Sequence, residues 1–77
     1  MKIEDLKVGA EVHYIRNYDK QQPYENGIIK AFWKFEDVLI VQVVYHCNDD
    51  WDNYRDYTAA RSPIENLRLG WLDAAVV

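Results

Sequence analysis

The sequence predicts a small, mainly β domain, and three observations predict it. The run "VLIVQVVYH" (38–46) is rich in β-branched residues, too short for most helices and apolar on both faces. Short alternating segments, from "DLKVGAEVHYIR" to "LRLGW", are separated by turn residues. Three Trp, six Tyr and two Phe stand among 77 residues. Each large ring removes about 150–250 Å² from water, which offsets the marginal core of so short a chain.

The elements follow in order. "DLKVGAEVHYIR" has a turn at Lys7-Val8-Gly9 and then a first strand over 11–16, with Val12 and Tyr14 on one face and Glu11 and His13 beside them. "NYDKQQPYENG" (17–27) is polar, holds Pro23 and Gly27, and reads as a loop. "GIIKAFW" is a second strand whose faces are both partly apolar, so a bulge near Gly27 would set its register. "KFED" turns the chain. In the third strand, 38–46, Leu39, Val41, Val43 and Tyr45 form one stripe. Val38, Ile40, Gln42, Val44 and His46 form the other. Both stripes are largely apolar, which predicts a central or covered strand.

A polar loop follows over 47–53, then "YRDYTAA" as a short fourth strand. "SPIENL" carries a helix-start signal: Ser62 as cap, Pro63 at the first helical position, and Glu65 completing a capping box. Only about one turn fits before "LRLGW", a last strand alternating Leu67, Leu69 and Trp71. "LDAAVV" frays or extends it. Five short strands with one helical turn before the last predict a small SH3-like barrel, with the turn where Tudor-like barrels place a 3₁₀ helix. Closure would leave little free edge. The alternative is an open antiparallel sheet packed on a C-terminal helix.

The whole chain is one domain by length. Its net charge is −4, unevenly placed. Residues 36–56 hold one base, Arg55, against Glu36, Asp37, Asp49, Asp50, Asp52 and Asp56. That acidic stretch would be drawn to a basic partner. Phosphate binding wants clustered Lys and Arg. The nearest approach to such a set is Lys2, Lys7, Arg16, Lys20, Lys30 and Lys34, so nucleic-acid binding is the runner-up. The opening residues are mixed and charged, and no run approaches the ~20 apolar residues that span a bilayer. A single thiol, Cys47, excludes an internal disulfide and suits a reducing compartment. The expectation is a soluble, cytoplasmic protein.

"CNDDWDNYRDYTAA" (47–60) is the stretch richest in chemistry. Read as an EF-hand from Asn48, it has Asn53 where glycine is required and Ala59 where glutamate is required. Read from Asp50, it has Tyr54 at the fifth position and Arg61 at the twelfth. A solvated turn is the plainer reading. A transition-metal site would need Cys47, His46 and His13. Neighbours on a strand point to opposite faces, and no paired Cys or His spacing supplies the rest. Both histidines read as partly exposed strand residues. Cys47 as a nucleophile lacks a base that the sequence places beside it, and a small barrel is filled by its own side chains. No enzyme, cofactor or metal is expected.

What remains is an amphipathic patch. Trp51 and Tyr54 sit among Asp49, Asp50, Asp52 and Asp56, with Tyr57 assigned to the core. Exposed Trp and Tyr are favoured hot-spot residues, and carboxylates pair with Lys or Arg on a partner. A structural reading has these rings fill the core and the acids solvate a turn. Tyr18 and Tyr24, on the first long loop, form a second candidate surface. A third reading is a structural homodimer formed through an exposed apolar strand face that includes Ile40 and Val44.

"DLKVGAEVHYI", "YENGIIKAF", "VVYHC", "WDNYRDYTAA" and "IENLRLGW" together resemble a family of small bacterial and bacteriophage proteins with an SH3- or Tudor-like pattern. The resemblance spans most of residues 5–71. It implies the barrel fold and a microbial or phage setting, and carries no catalytic residue. The function expected is a non-enzymatic module that docks a host protein with a basic surface and inhibits a nucleic-acid-binding machine.

Overall fold

In the computed structural model, residues 1–16, 21 and 23–72 are described. A 3₁₀ turn, η1 (Ile3–Asp5), leads into β1 (Glu11–Ile15), β2 (Tyr24–Phe35) and β3 (Val38–Val44). Then come η2 (Trp51–Asp56), β4 (Ala60–Arg61), η3 (Ile64–Asn66) and β5 (Leu67–Leu69). The strands form one antiparallel sheet ordered β4-β3-β2-β1-β5. That order, with a 3₁₀ turn directly before β5, is the SH3-like arrangement predicted from the sequence. β4 and β5 are its two edges. Among the described residues no helix is long and apolar enough to cross a membrane.

β2 is the spine. Its first half pairs with β1, Glu11 opposite Ile28 through Ile15 opposite Tyr24. Its second half pairs with β3, from Ile28 opposite Val44 to Phe35 opposite Val38. The bulge lies between Ile29 and Ala31, two residues beyond Gly27. Gly27 itself is a close approach: a Cβ there would lie 2.6 Å from Val43 Cγ1 and 2.8 Å from the Val44 carbonyl oxygen.

Ahead of the bulge, alternation sends Ile29 and Val43 to one face and Ile28 and Val44 to the other. On one side Leu6, Val12, Ile29, Val41, Val43 and Leu67 form the main core. On the other Ile28 and Val44 join Cys47 and Tyr54 in a second core, covered by Trp51, Tyr57, Ala59 and Trp71. The prediction that β3 is covered on both faces therefore holds at its C-terminal end. At the other end the cover stops, and Val38 is exposed.

Several boundaries differ from expectation. Tyr24, Glu25 and Asn26, read as loop, belong to β2 because β1 pairs with them despite their polarity. Lys34 and Phe35 also belong to β2, and the turn is Glu36-Asp37, with Glu36 at φ 56°. "YRDYTAA" is not a strand over its length: its first three residues complete η2, and only Ala60 and Arg61 extend the ladder. The capping box on Ser62 does not form. η3 starts from Pro63 without a side-chain cap, and the buried Ser62 hydroxyl is committed to tertiary partners instead. His13 is buried rather than partly exposed; its Nδ1–H donates to the Gly70 carbonyl at 2.8 Å, with the Tyr24 ring edge-on.

Candidate functional site

The loop between β3 and β4 is built from the inside outward. Asn48 and Asp49 take left-handed backbone (φ 53° and 63°), which Asn and Asp tolerate well. They turn the chain sharply enough for the Asp50 N–H to reach the Cys47 carbonyl at 2.9 Å. Asp50 then holds the loop together. Its carboxylate accepts from Asn53 Nδ2 and from the Tyr57 hydroxyl, both at 2.9 Å. Lys30 reaches across from β2 and donates to the Tyr57 carbonyl at 2.7 Å. The hydrogen bond to Asp50, then burial, raise the Tyr57 phenol pKa above its ordinary value.

The rings face inward. Tyr54 is only 9% exposed and packs on the second core. Trp51 lies against Trp71, centroids 4.8 Å apart and planes at 52°, and the Trp71 indole N–H donates to the Gly27 carbonyl at 2.8 Å. The guanidinium of Arg55 sits 5.1 Å above the Tyr54 ring, a cation–π contact. Cys47 is buried in the same cluster, and burial pushes its thiol pKa up, away from the reactive thiolate. Among the described residues no group of His, Cys, Asp and Glu is placed to hold a metal ion.

The patch read from the sequence thus separates into two sets. Tyr54 is withdrawn into the core, Trp51 is half-buried against Trp71, and Asp50 is engaged by its own loop. Asp49, Asp52 and Asp56 remain exposed on the outside. Tyr24 is half-buried at the start of β2, not on a loop, and Tyr18 lies outside the described residues. Of the basic set, Arg16 is paired with Glu25 and Lys30 is tied to the loop; Lys20 lies outside the described residues. The proposed dimer face is altered too: Val44 is fully buried under the loop, while Ile40 is half-buried.

The sequence reading missed a groove of about 270 Å³. Tyr14 at the end of β1 and Tyr45 just after β3 meet edge to face, 6.3 Å apart and at 78°. Beside them Arg16 bonds Glu25 at 2.6 Å, and the second Glu25 oxygen faces His46 Nε2 at 3.4 Å. Arg61 and Ser62 complete the lining. Tyr14 and Tyr45 each sit at the end of an alternating stripe, but only the pairing of β1 and β3 on either side of β2 brings the rings together.

A small all-β domain of SH3-like order, with an acidic loop and a polar groove, is the class that fold and surface define. No protein-family model, curated protein or solved structure matches the chain.

Proposed function

We propose that the chain is a non-enzymatic protein-binding module that docks the basic surface of a partner protein through the carboxylates of the 47–59 loop. One observation carries this: the loop locks its rings and Asp50 inward while Asp49, Asp52 and Asp56 stand in solvent. Carboxylates on a frame already ordered lose little further freedom on docking, and their field steers a basic partner. Proteins that handle nucleic acid present such Lys- and Arg-rich surfaces, so docking there excludes phosphate and inhibits. A bacteriophage setting and a cytoplasmic location go with this reading.

The test compares the wild-type chain, immobilised, with the triple variant D49N/D52N/D56N in bacterial lysate. The expected result is a partner retained at low salt by the wild type and lost both with the variant and at high salt. Equal retention by the two chains counts against the proposal.

One observation favours a second reading, a homodimer. Trp33, Phe35, Val38 and Ile40 share the outer face of the β2–β3 hairpin by alternation and pairing, and the first three are largely exposed. Sedimentation at rising concentration gives a doubled mass if this reading is right and the monomer mass if it is wrong.

A further inference from the structure

The Tyr14–Tyr45 groove carries a charge opposite to that of the molecule. Two of the chain's four arginines, Arg16 and Arg61, line it against one carboxylate, Glu25. Glu25 is already compensated by Arg16. A cation entering the groove would have to displace that guanidinium, whereas an anion displaces nothing. Arg61 is exposed and, among the described residues, has no ion-pair partner. Its backbone is fixed by pairing opposite Gln42 at the end of the ladder.

The walls are set in advance. The Tyr45 and Ser62 hydroxyls share a hydrogen bond at 2.6 Å, and Ser62 also lies 3.3 Å from the Ala60 carbonyl. This relay anchors the Tyr45 ring, and the Tyr14 edge rests against it. A ligand therefore meets two fixed apolar surfaces beside a guanidinium able to grip a carboxylate by two parallel hydrogen bonds.

We propose that this groove binds an acidic side chain of an extended peptide segment, with Arg61 holding the carboxylate and the Tyr14 and Tyr45 rings contacting the flanking chain. An inorganic anion would leave the rings unused. A nucleic acid would bring a polyanion to a chain of net charge −4, against the field that phosphate binding requires. A single carboxylate on a peptide satisfies both the charge and the apolar walls. The site is separate from the carboxylates of the 47–59 loop and does not depend on them.

The probe is the capped peptide acetyl-Ala-Glu-Glu-Ala-amide, titrated against the ¹⁵N-labelled full chain. The expected result is saturable movement of the Tyr45, Arg61 and Ser62 amide resonances, with no response to the glutamine counterpart. Arg61→Gln, an exposed change that leaves the core intact, weakens binding about tenfold, the loss expected when a charge-assisted pair is removed. The D49N/D52N/D56N variant still binds, which separates failure here from failure of the loop proposal. Absence of shifts at millimolar peptide overturns the proposal. So do equal shifts with a lysine peptide, unchanged affinity of Arg61→Gln, or stronger shifts of the same resonances by an oligothymidylate.

Discussion

At Tyr45, burial and hydrogen bonding pull the phenol in opposite directions. Burial disfavours the phenolate, the Ser62 hydroxyl favours it, and burial wins, lifting the pKa from 10.0 to about 12. A folded-state pKa above the unfolded one adds stability that is complete below pH 10 and is lost as pH rises towards 12. Because the ring is only partly buried, solvent screening reduces the full two-unit value to about 1–2 kcal/mol. Urea titrations between pH 9 and 12 should show that fall. Tyr45→Phe should cost about 1 kcal/mol at neutral pH and flatten the alkaline slope, leaving the part that Tyr57 contributes. Sequence reasoning put Tyr45 on one stripe with Leu39, Val41 and Val43; it packs on the main core with them, though β3 ends one residue before it. That reasoning could not see Ser62 as the tyrosine's partner, because "SPIE" also fits a helix cap and local pattern carries no information about a hydroxyl 17 residues away. His13 was misread for the same reason: its partners, Gly70 and Tyr24, are brought to it by pairing with β5 and β2.

The strands built from continuous runs of strand-forming residues, β1 and β3, were legible to within one or two residues at their ends. The loop over 47–59 was not. Its η2 is nucleated by contacts within an Asp/Asn-rich segment and held by Trp51, Tyr54 and Tyr57 against a second core. Trp51 and Tyr54 read equally well as surface hot spots. The loop is a cover for Ile28, Val44 and Cys47, and its stability reads out through the thiol beneath it. Trp51→Ala removes the ring packed at a tilt against Trp71, at a cost of about 2–3 kcal/mol because the site is only partly buried. If the loop opens as a unit, alkylation of Cys47 under native conditions should accelerate by more than tenfold. Trp51→Phe, which keeps most of the ring, should accelerate it far less. An unchanged rate in Trp51→Ala would mean that the thiol is reached by another route and that the Trp51–Trp71 contact does not hold the loop down.

At the scale of the molecule, strand order was legible because each strand pairs with its sequence neighbour, except the last. β5 returns to β1, with Leu69 opposite Val12 and Leu67 opposite Tyr14, and this closing contact governs stability. For 77 residues, stability at ~0.05–0.15 kcal/mol per residue comes to about 4–12 kcal/mol. Residues 67–72 contribute on that scale. Leu67 is fully buried in the main core, worth about 2–5 kcal/mol. Trp71 covers the second core and bonds Gly27. The Asn26 side-chain amide exchanges two hydrogen bonds with the Leu72 backbone, at 2.9 and 3.0 Å, extending the attachment past the strand. A chain ended at Asn66 would leave Val12 on an open edge and both cores uncovered on one side, so it should show no cooperative thermal transition by circular dichroism. Adding a peptide of sequence LRLGWL in trans should restore part of the transition in a concentration-dependent way, since folding and association are then one equilibrium. A cooperative transition in the truncated chain without the peptide would show that the β1–β3 meander folds alone and that β5 is an accessory to the fold.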